Sequence, residues 1–176
     1  THASRVSTSY HHMSSVTLSD MGWTVSATAE PGGVMDLDGR QYTLIEIHCH
    51  TPAEHTIDGH RADLEAHLVH QSAEGKLAVL GVLFDVVDDP MPIDAYIASP
   101  DSAPSIHHLD HILPTPSPTF RYMGSRTTPP YATGIRWTVF TRRLTVGRAA
   151  LAKFADQYGP NIRELQDSSE TEVTLG

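Results

Sequence analysis

Ten consecutive residues, Glu46-Ile-His-Cys-His-Thr-Pro-Ala-Glu-His55, hold three histidines and two carboxylates. Side chains of these types can hold a divalent metal, relay protons, or pair with one another on a polar face. His48 and His50 are two residues apart, and on a β-strand that spacing sends both rings to one side, offering a metal two ligands at once. A third ligand must come from a neighbouring element. The stretch Leu64 to His70 supplies one: Glu65, His67 and Val69 fall on one face, and Ala66, Leu68 and His70 on the other. If the two strands pair, His67 completes a three-histidine zinc site whose fourth position stays open, as a catalytic site requires. Glu46 stands two residues before His48, and Glu65 two before His67. Each carboxylate can accept the ring N–H that a metal-bound histidine must place somewhere. The plainer reading is a set of hydrogen-bonded polar residues on a half-exposed face.

The elements that position these groups are mostly strands. Gln41 to His50 alternates, with Tyr42, Leu44, Glu46, His48 and His50 expected on one face and Ile45, Ile47 and Cys49 on the other. Leu64–His70 and Leu77–Asp85 read as two strands joined as a hairpin by Glu74-Gly75-Lys76, and Ile135–Phe140 reads as another. Seven of the twelve prolines lie between Asp88 and Thr119, which predicts a long wrapping connection, with a helical turn or two at Ile93–Ala98. One helix is expected, capped by Thr145, carrying an apolar stripe of Leu151, Phe154 and Ala155, and stopped by Gly159-Pro160. The pattern predicts a single, mainly β domain over residues 1–176.

Composition narrows the function. The formal net charge is −9, which argues against a nucleic-acid partner. The longest clean apolar run, Leu77 to Phe84, is too short to cross a bilayer. No signal segment is visible, and a chain starting at Thr1 is expected to be a processed or trimmed product. The single cysteine, Cys49, has no partner for an internal disulfide. Of the 12 histidines, His2, His11, His12, His107, His108 and His111 sit in polar or proline-rich stretches and are expected in solvated loops.

The run "YTLIEIHCHTPAEHTIDG", followed by "EAHLVH", "GKLAVLGVLF" and "RYMGSRTTPPYATGIRWTVF", resembles the α-class carbonic anhydrases in order and spacing, from about Trp23 to Arg163. The resemblance implies a central mixed, largely antiparallel sheet with a few peripheral helices. It also implies a zinc lyase that hydrates carbon dioxide to bicarbonate and a proton, with weak esterase activity as a side reaction. Carried over residue by residue, His48, His50 and His67 match the Zn2+ ligands, and Glu46 (usually glutamine in the family) and Glu65 match their hydrogen-bond partners. Thr127 and Glu54 match the pair that orients the attacking oxygen. Val69, Val79, Ile135 and Trp137, with Thr128 beside them, match the pocket for carbon dioxide, and His55 and His70 match buried structural histidines. The family resemblance leans toward a secreted or periplasmic location.

Three departures from the family pattern stand out. Trp23 occupies the place of the histidine that ferries protons out, and His11, His12 or His60 is then a substitute to look for. Arg126 replaces a pocket leucine; turned inward at about 8 Å its charge would contribute roughly 2 kcal/mol toward lowering the pKa of a zinc-bound water and would also hold an anion more tightly, and bent outward it would do little. The resemblance implies that the family's amino-terminal portion lies outside this sequence, as in a compact variant or a fragment; Tyr131 stands where a cysteine is often found, and exposed sheet edges then favour a homodimer. A zinc-binding or interaction module without hydratase activity is the alternative. The spacing His48, His50, Glu54 also opens the cupin metal motif, but Tyr42 stands where its glycine should be.

Overall fold

The computed structural model describes residues 5–10, 16–30, 32–102 and 109–176. His2, His11, His12, His107 and His108 lie outside these residues. Among the described residues the strands are β1 (Val6–Ser9), β2 (Val16–Asp20), β3 (Val25–Ala29), β4 (Val34–Leu37), β5 (Arg40–His50), β6 (Thr56–Ile57) and β7 (His60–Arg61). They continue with β8 (Leu64–Gln71), β9 (Leu77–Val87), β10 (Thr119–Ser125), β11 (Thr133–Phe140), β12 (Leu144–Gly147) and, after the helix α1 (Arg148–Tyr158), β13 (Thr174–Leu175). One large mixed sheet runs β1-β4-β5-β8-β9-β11-β10-β13. It is antiparallel except where β11 and β12 pair with β9 in parallel. No helix among the described residues is long and apolar enough to cross a membrane.

The β8–β9 hairpin forms at the expected turn. Gly75 holds φ +81°, open to glycine at little cost, while the Ser72 N–H bonds the Lys76 carbonyl at 2.8 Å. On β8 the faces divide as read: Ala66 and Leu68 enter the main core, and Val69 packs with Val79, Ile135 and Trp137 on the other side.

Strand β5 departs from simple alternation. Leu44 pairs with His70 and Glu46 with Val69, so Ile45 is the extra residue of a bulge. Tyr42 and Leu44 therefore lie in the core with Ile47 and Cys49, while Ile45 packs against the cluster beside the histidines. The bulge reverses the phase of the strand and leaves both apolar sets buried on their proper sides.

Two further expectations change. Thr145 lies within β12, paired with Asp85, and does not cap the helix. Gly147 is the residue before α1, its N–H bound to Asp94 Oδ1 at 2.8 Å. The expected turn at Ile93–Ala98 is a 3-10 helix at Pro92–Tyr96. Gly159 does end α1, whose buried side chains are Phe154 and Tyr158.

His70 is fully buried as expected. Its Nδ1–H donates to the Leu68 carbonyl at 2.8 Å, which leaves Nε2 to accept from the Tyr10 hydroxyl at 2.7 Å. Burial holds its pKa down to about 4. An unfolded histidine titrates near 6.5, so between these values only the unfolded chain takes up the proton and stability falls as pH falls. Relative to His70→Gln, the wild type is expected to lose about 3 kcal/mol of its advantage between pH 7 and pH 4, read from urea unfolding midpoints at each pH.

Candidate metal centre

The centre is built where β5 and β8 lie side by side. His48 sits directly opposite His67 in the antiparallel register, and His50 opposite Glu65. The three rings are buried, with centroids 4.7 to 5.3 Å apart. One ligand nitrogen from each lies within 4.8 Å of the other two. Cys49 is buried in the core on the far face, as the strand period requires.

Each imidazole has one nitrogen occupied by the protein. His48 Nδ1 meets Glu46 Oε1 at 2.6 Å, and Glu46 is itself held by Ser26 Oγ at 3.2 Å. His50 Nδ1 donates to the Asn161 carbonyl at 2.6 Å. His67 Nε2 meets Glu65 Oε1 at 2.9 Å. The nitrogens left over are His48 Nε2, His50 Nε2 and His67 Nδ1. His50 Nε2 is buried without a hydrogen-bond partner, an expensive state for a polar atom. Burial holds both His48 and His50 below the ordinary histidine range, with Glu46 opposing this at His48 and the neighbouring rings reinforcing it at His50. Neutral imidazoles offer lone pairs, so the donor set suits zinc, whose usual ligands include histidine nitrogen.

Glu65 anchors the arrangement from inside. Fully buried, it accepts from the backbone N–H groups of Glu54 and His55, each at 2.8 Å, and meets His55 Nδ1 at 2.5 Å as well as His67. Burial alone would raise its pKa, but His55 and His67 more than reverse this and hold the carboxyl well below the usual range. His55, expected to be buried, is part-buried and links Glu65 to Tyr122, its Nε2 reaching the Tyr122 hydroxyl at 2.5 Å.

Thr127 and Glu54 meet. Thr127 favours the charged form of the Glu54 carboxylate, as a hydroxyl donor does, and Glu54 Oε1 accepts from the Arg163 N–H at 2.9 Å. Glu54 Oε2 is buried and unpaired, 3.4 Å from His50 Nε2. Burial raises the Glu54 pKa. Val69, Val79, Ile135, Trp137, Thr127 and Thr128 line a small, partly open pocket beside His48 and His67. Arg126 lines it too, and its charge acts on Glu46 and His48. Glu46, lowered chiefly by its bond to His48, is lowered further by the Arg126 charge.

Trp23 is half-buried against the histidines, its ring 5.4 Å from that of His48 and 5.5 Å from that of His50. His60 is exposed on β7. Asn161 was not legible as a site residue. Besides accepting from His50, its side chain takes the Thr51 N–H at 2.8 Å and donates to the carbonyls of Trp23 and Cys49 at 2.9 and 3.2 Å. Only its place just after the Gly159-Pro160 helix stop marks it in the sequence.

A "Carbonic anhydrase" of Pectobacterium carotovorum is 32% identical over 153 residues, covering 82% of this chain and 63% of its own. The chain thus spans about three fifths of the length of the curated relatives it matches. The Photobacterium profundum α-carbonic anhydrase superposes with TM-score 0.87 at 29% identity, over 96% of this chain and 80% of that one. The Thermovibrio ammonificans α-carbonic anhydrase, solved with the inhibitor sulfanilamide, gives 0.82 at 31% identity, over 96% and 77%. Residues 2–172 match the family described as eukaryotic-type carbonic anhydrase. Sheet, histidine face and sequence all agree with that match, and the chain belongs to the eukaryotic-type carbonic anhydrase family.

Proposed function

We propose that this chain binds one Zn2+ through His48, His50 and His67 and hydrates carbon dioxide reversibly to bicarbonate and a proton. The observation that supports the reading is a buried triad of imidazoles, His50 Nε2 among them unpartnered, with no fourth side chain in the group among the described residues. When bound, zinc supplies a nucleophile near neutral pH by acidifying water to a pKa of about 7, carbonic anhydrase being the standard case. Thr127, whose proton is committed to Glu54, presents a lone pair and so accepts only a reactant that carries a proton. That requirement orients the attacking oxygen. The apolar wall of Val69, Val79, Ile135 and Trp137 holds carbon dioxide, which needs dryness more than hydrogen bonds. Arg126 faces the departing bicarbonate and slows its release.

Trp23 has no group that titrates and cannot carry a proton. Release of a proton of pKa ~7 to water, recombination running near 10^10 per molar per second, permits only on the order of 10^3 turnovers per second. Metal analysis with stopped-flow hydration, with and without imidazole buffer, tests the proposal: one zinc per chain and buffer-dependent turnover are expected. Zinc without hydration at any buffer strength would instead support the interaction module. Trp23→His should raise turnover in weak buffer several-fold, and an unchanged rate would mean that another route exports protons.

A homodimer belongs to the same proposal. Met123, Leu165, Val173 and Leu175 are exposed along β10 and the carboxyl-terminal segment, an apolar edge that a second copy would cover. Sedimentation equilibrium distinguishes dimer from monomer.

A further inference from the structure

We infer that Arg163 and Tyr131 form a clasp fixing the loop that carries Thr127, and that both are positioning residues for the reaction proposed above, on which this inference rests. The loop from Arg126 to Ala132 leaves β10 and returns to β11, and Pro129 to Ala132 are exposed, so no apolar burial anchors its far side. Two backbone bonds close it: the Arg126 N–H to the Ala132 carbonyl at 2.8 Å and the Tyr131 N–H to the Thr128 carbonyl at 2.9 Å. Trp137 Nε1–H secures its start by donating to the Ser125 carbonyl at 3.0 Å.

Arg163 supplies the rest. Its Nη1 donates to Ser125 Oγ at 2.9 Å and to the Arg126 carbonyl at 3.3 Å, and its Cζ stands 4.1 Å over the Tyr131 ring. Its own backbone N–H holds Glu54 Oε1 at 2.9 Å. One residue therefore grips both members of the Thr127–Glu54 pair, the threonine through its loop and the glutamate directly. The planar guanidinium suits this because it can stack on a ring face and donate in its own plane at once. Tyr131 holds φ +60°, a conformation that a non-glycine residue keeps only when its surroundings fix it. The ring over which Arg163 lies is thus presented by a backbone committed to that one position. A reacting group displaced by 1 Å can lose about 10²-fold in rate, so a partly loosened loop registers as a measurable loss.

The test uses the full chain loaded with zinc and the variants Tyr131→Leu, Tyr131→Phe and Arg163→Lys. Tyr131→Leu should lower kcat/KM for hydration about fivefold, the scale of one partly exposed cation–π contact. It should weaken sulfanilamide binding by a similar factor and speed amide hydrogen exchange at Arg126, Thr127, Thr128 and Ala132. The zinc dissociation constant, read against a chelating dye, should stay within about twofold, because the clasp touches no ligand histidine. Tyr131→Phe keeps the ring and should restore every value. Arg163→Lys, which cannot reach Ser125, the Arg126 carbonyl and the ring together, should resemble Tyr131→Leu. Unchanged loop exchange in Tyr131→Leu would overturn the clasp, and faster exchange with unchanged turnover would overturn its positioning role. Should the wild-type protein not hydrate carbon dioxide, the reaction falls while hydrogen exchange still decides the clasp.

Discussion

His50→Ala is expected to abolish hydration and to leave the protein without zinc after dialysis. A zinc site contributes about 10–16 kcal/mol when all four of its ligands are protein groups, so one histidine accounts for roughly 2.5–4 kcal/mol. The zinc dissociation constant should rise about 10²- to 10³-fold. The fold should survive, because the His50 ring faces away from the main core, which is built by Ile47 and Cys49 on the opposite side of β5. Circular dichroism with atomic emission separates the two effects: native spectrum, no metal. A variant that still holds one zinc would show that the two remaining histidines suffice, and would remove the basis of the proposed function.

Glu65→Ala should cost the most stability. It would leave two backbone N–H groups, His55 and His67 without their buried acceptor. Losing one partner of a buried charged network costs about 3–5 kcal/mol, a large part of the roughly 5–15 kcal/mol that holds a domain folded. The variant is expected to melt far below the wild type or to accumulate as insoluble protein. Glu65→Gln keeps shape and one acceptor oxygen. It should fold and bind zinc about 10–100-fold more weakly, as measured by competition with a chelator. A Glu65→Ala protein of unchanged midpoint would show that water replaces the carboxylate, and the anchoring role would fall.

The histidine cluster was legible because two independent periodicities coincide. His48 and His50 share a strand face, and His67 lies on the matching face of a strand whose hairpin partner is marked by Gly75. The bulge at Ile45 was less visible, since alternation over Tyr42 to His50 is chemically satisfied by either phase until the pairing register is known. The adjacent apolar pair Leu44-Ile45 is the trace it leaves. Asn161 and Arg163 were hidden for another reason: they meet His50 and Glu54 from more than a hundred residues away, and no local period encodes such a contact. Thr145 misled because a threonine before a helical stretch reads as a cap, whereas here its backbone belongs to the parallel pairing with β9.

The extra residue at Ile45 acts as a frame setter for the chemistry downstream. Upstream of it the strand obeys the demands of the oily interior, and downstream it presents imidazoles to the opposite side. Excising that one apolar residue would restore an even two-residue rhythm, and both tasks could no longer be met at once. Either Tyr42 and Leu44 would be forced out of the interior, or His48 and His50 would be driven into it. The gathering of the three imidazoles is thus written partly in the count of residues separating the histidines from Leu44, and a single deletion there would scatter them with every histidine still present.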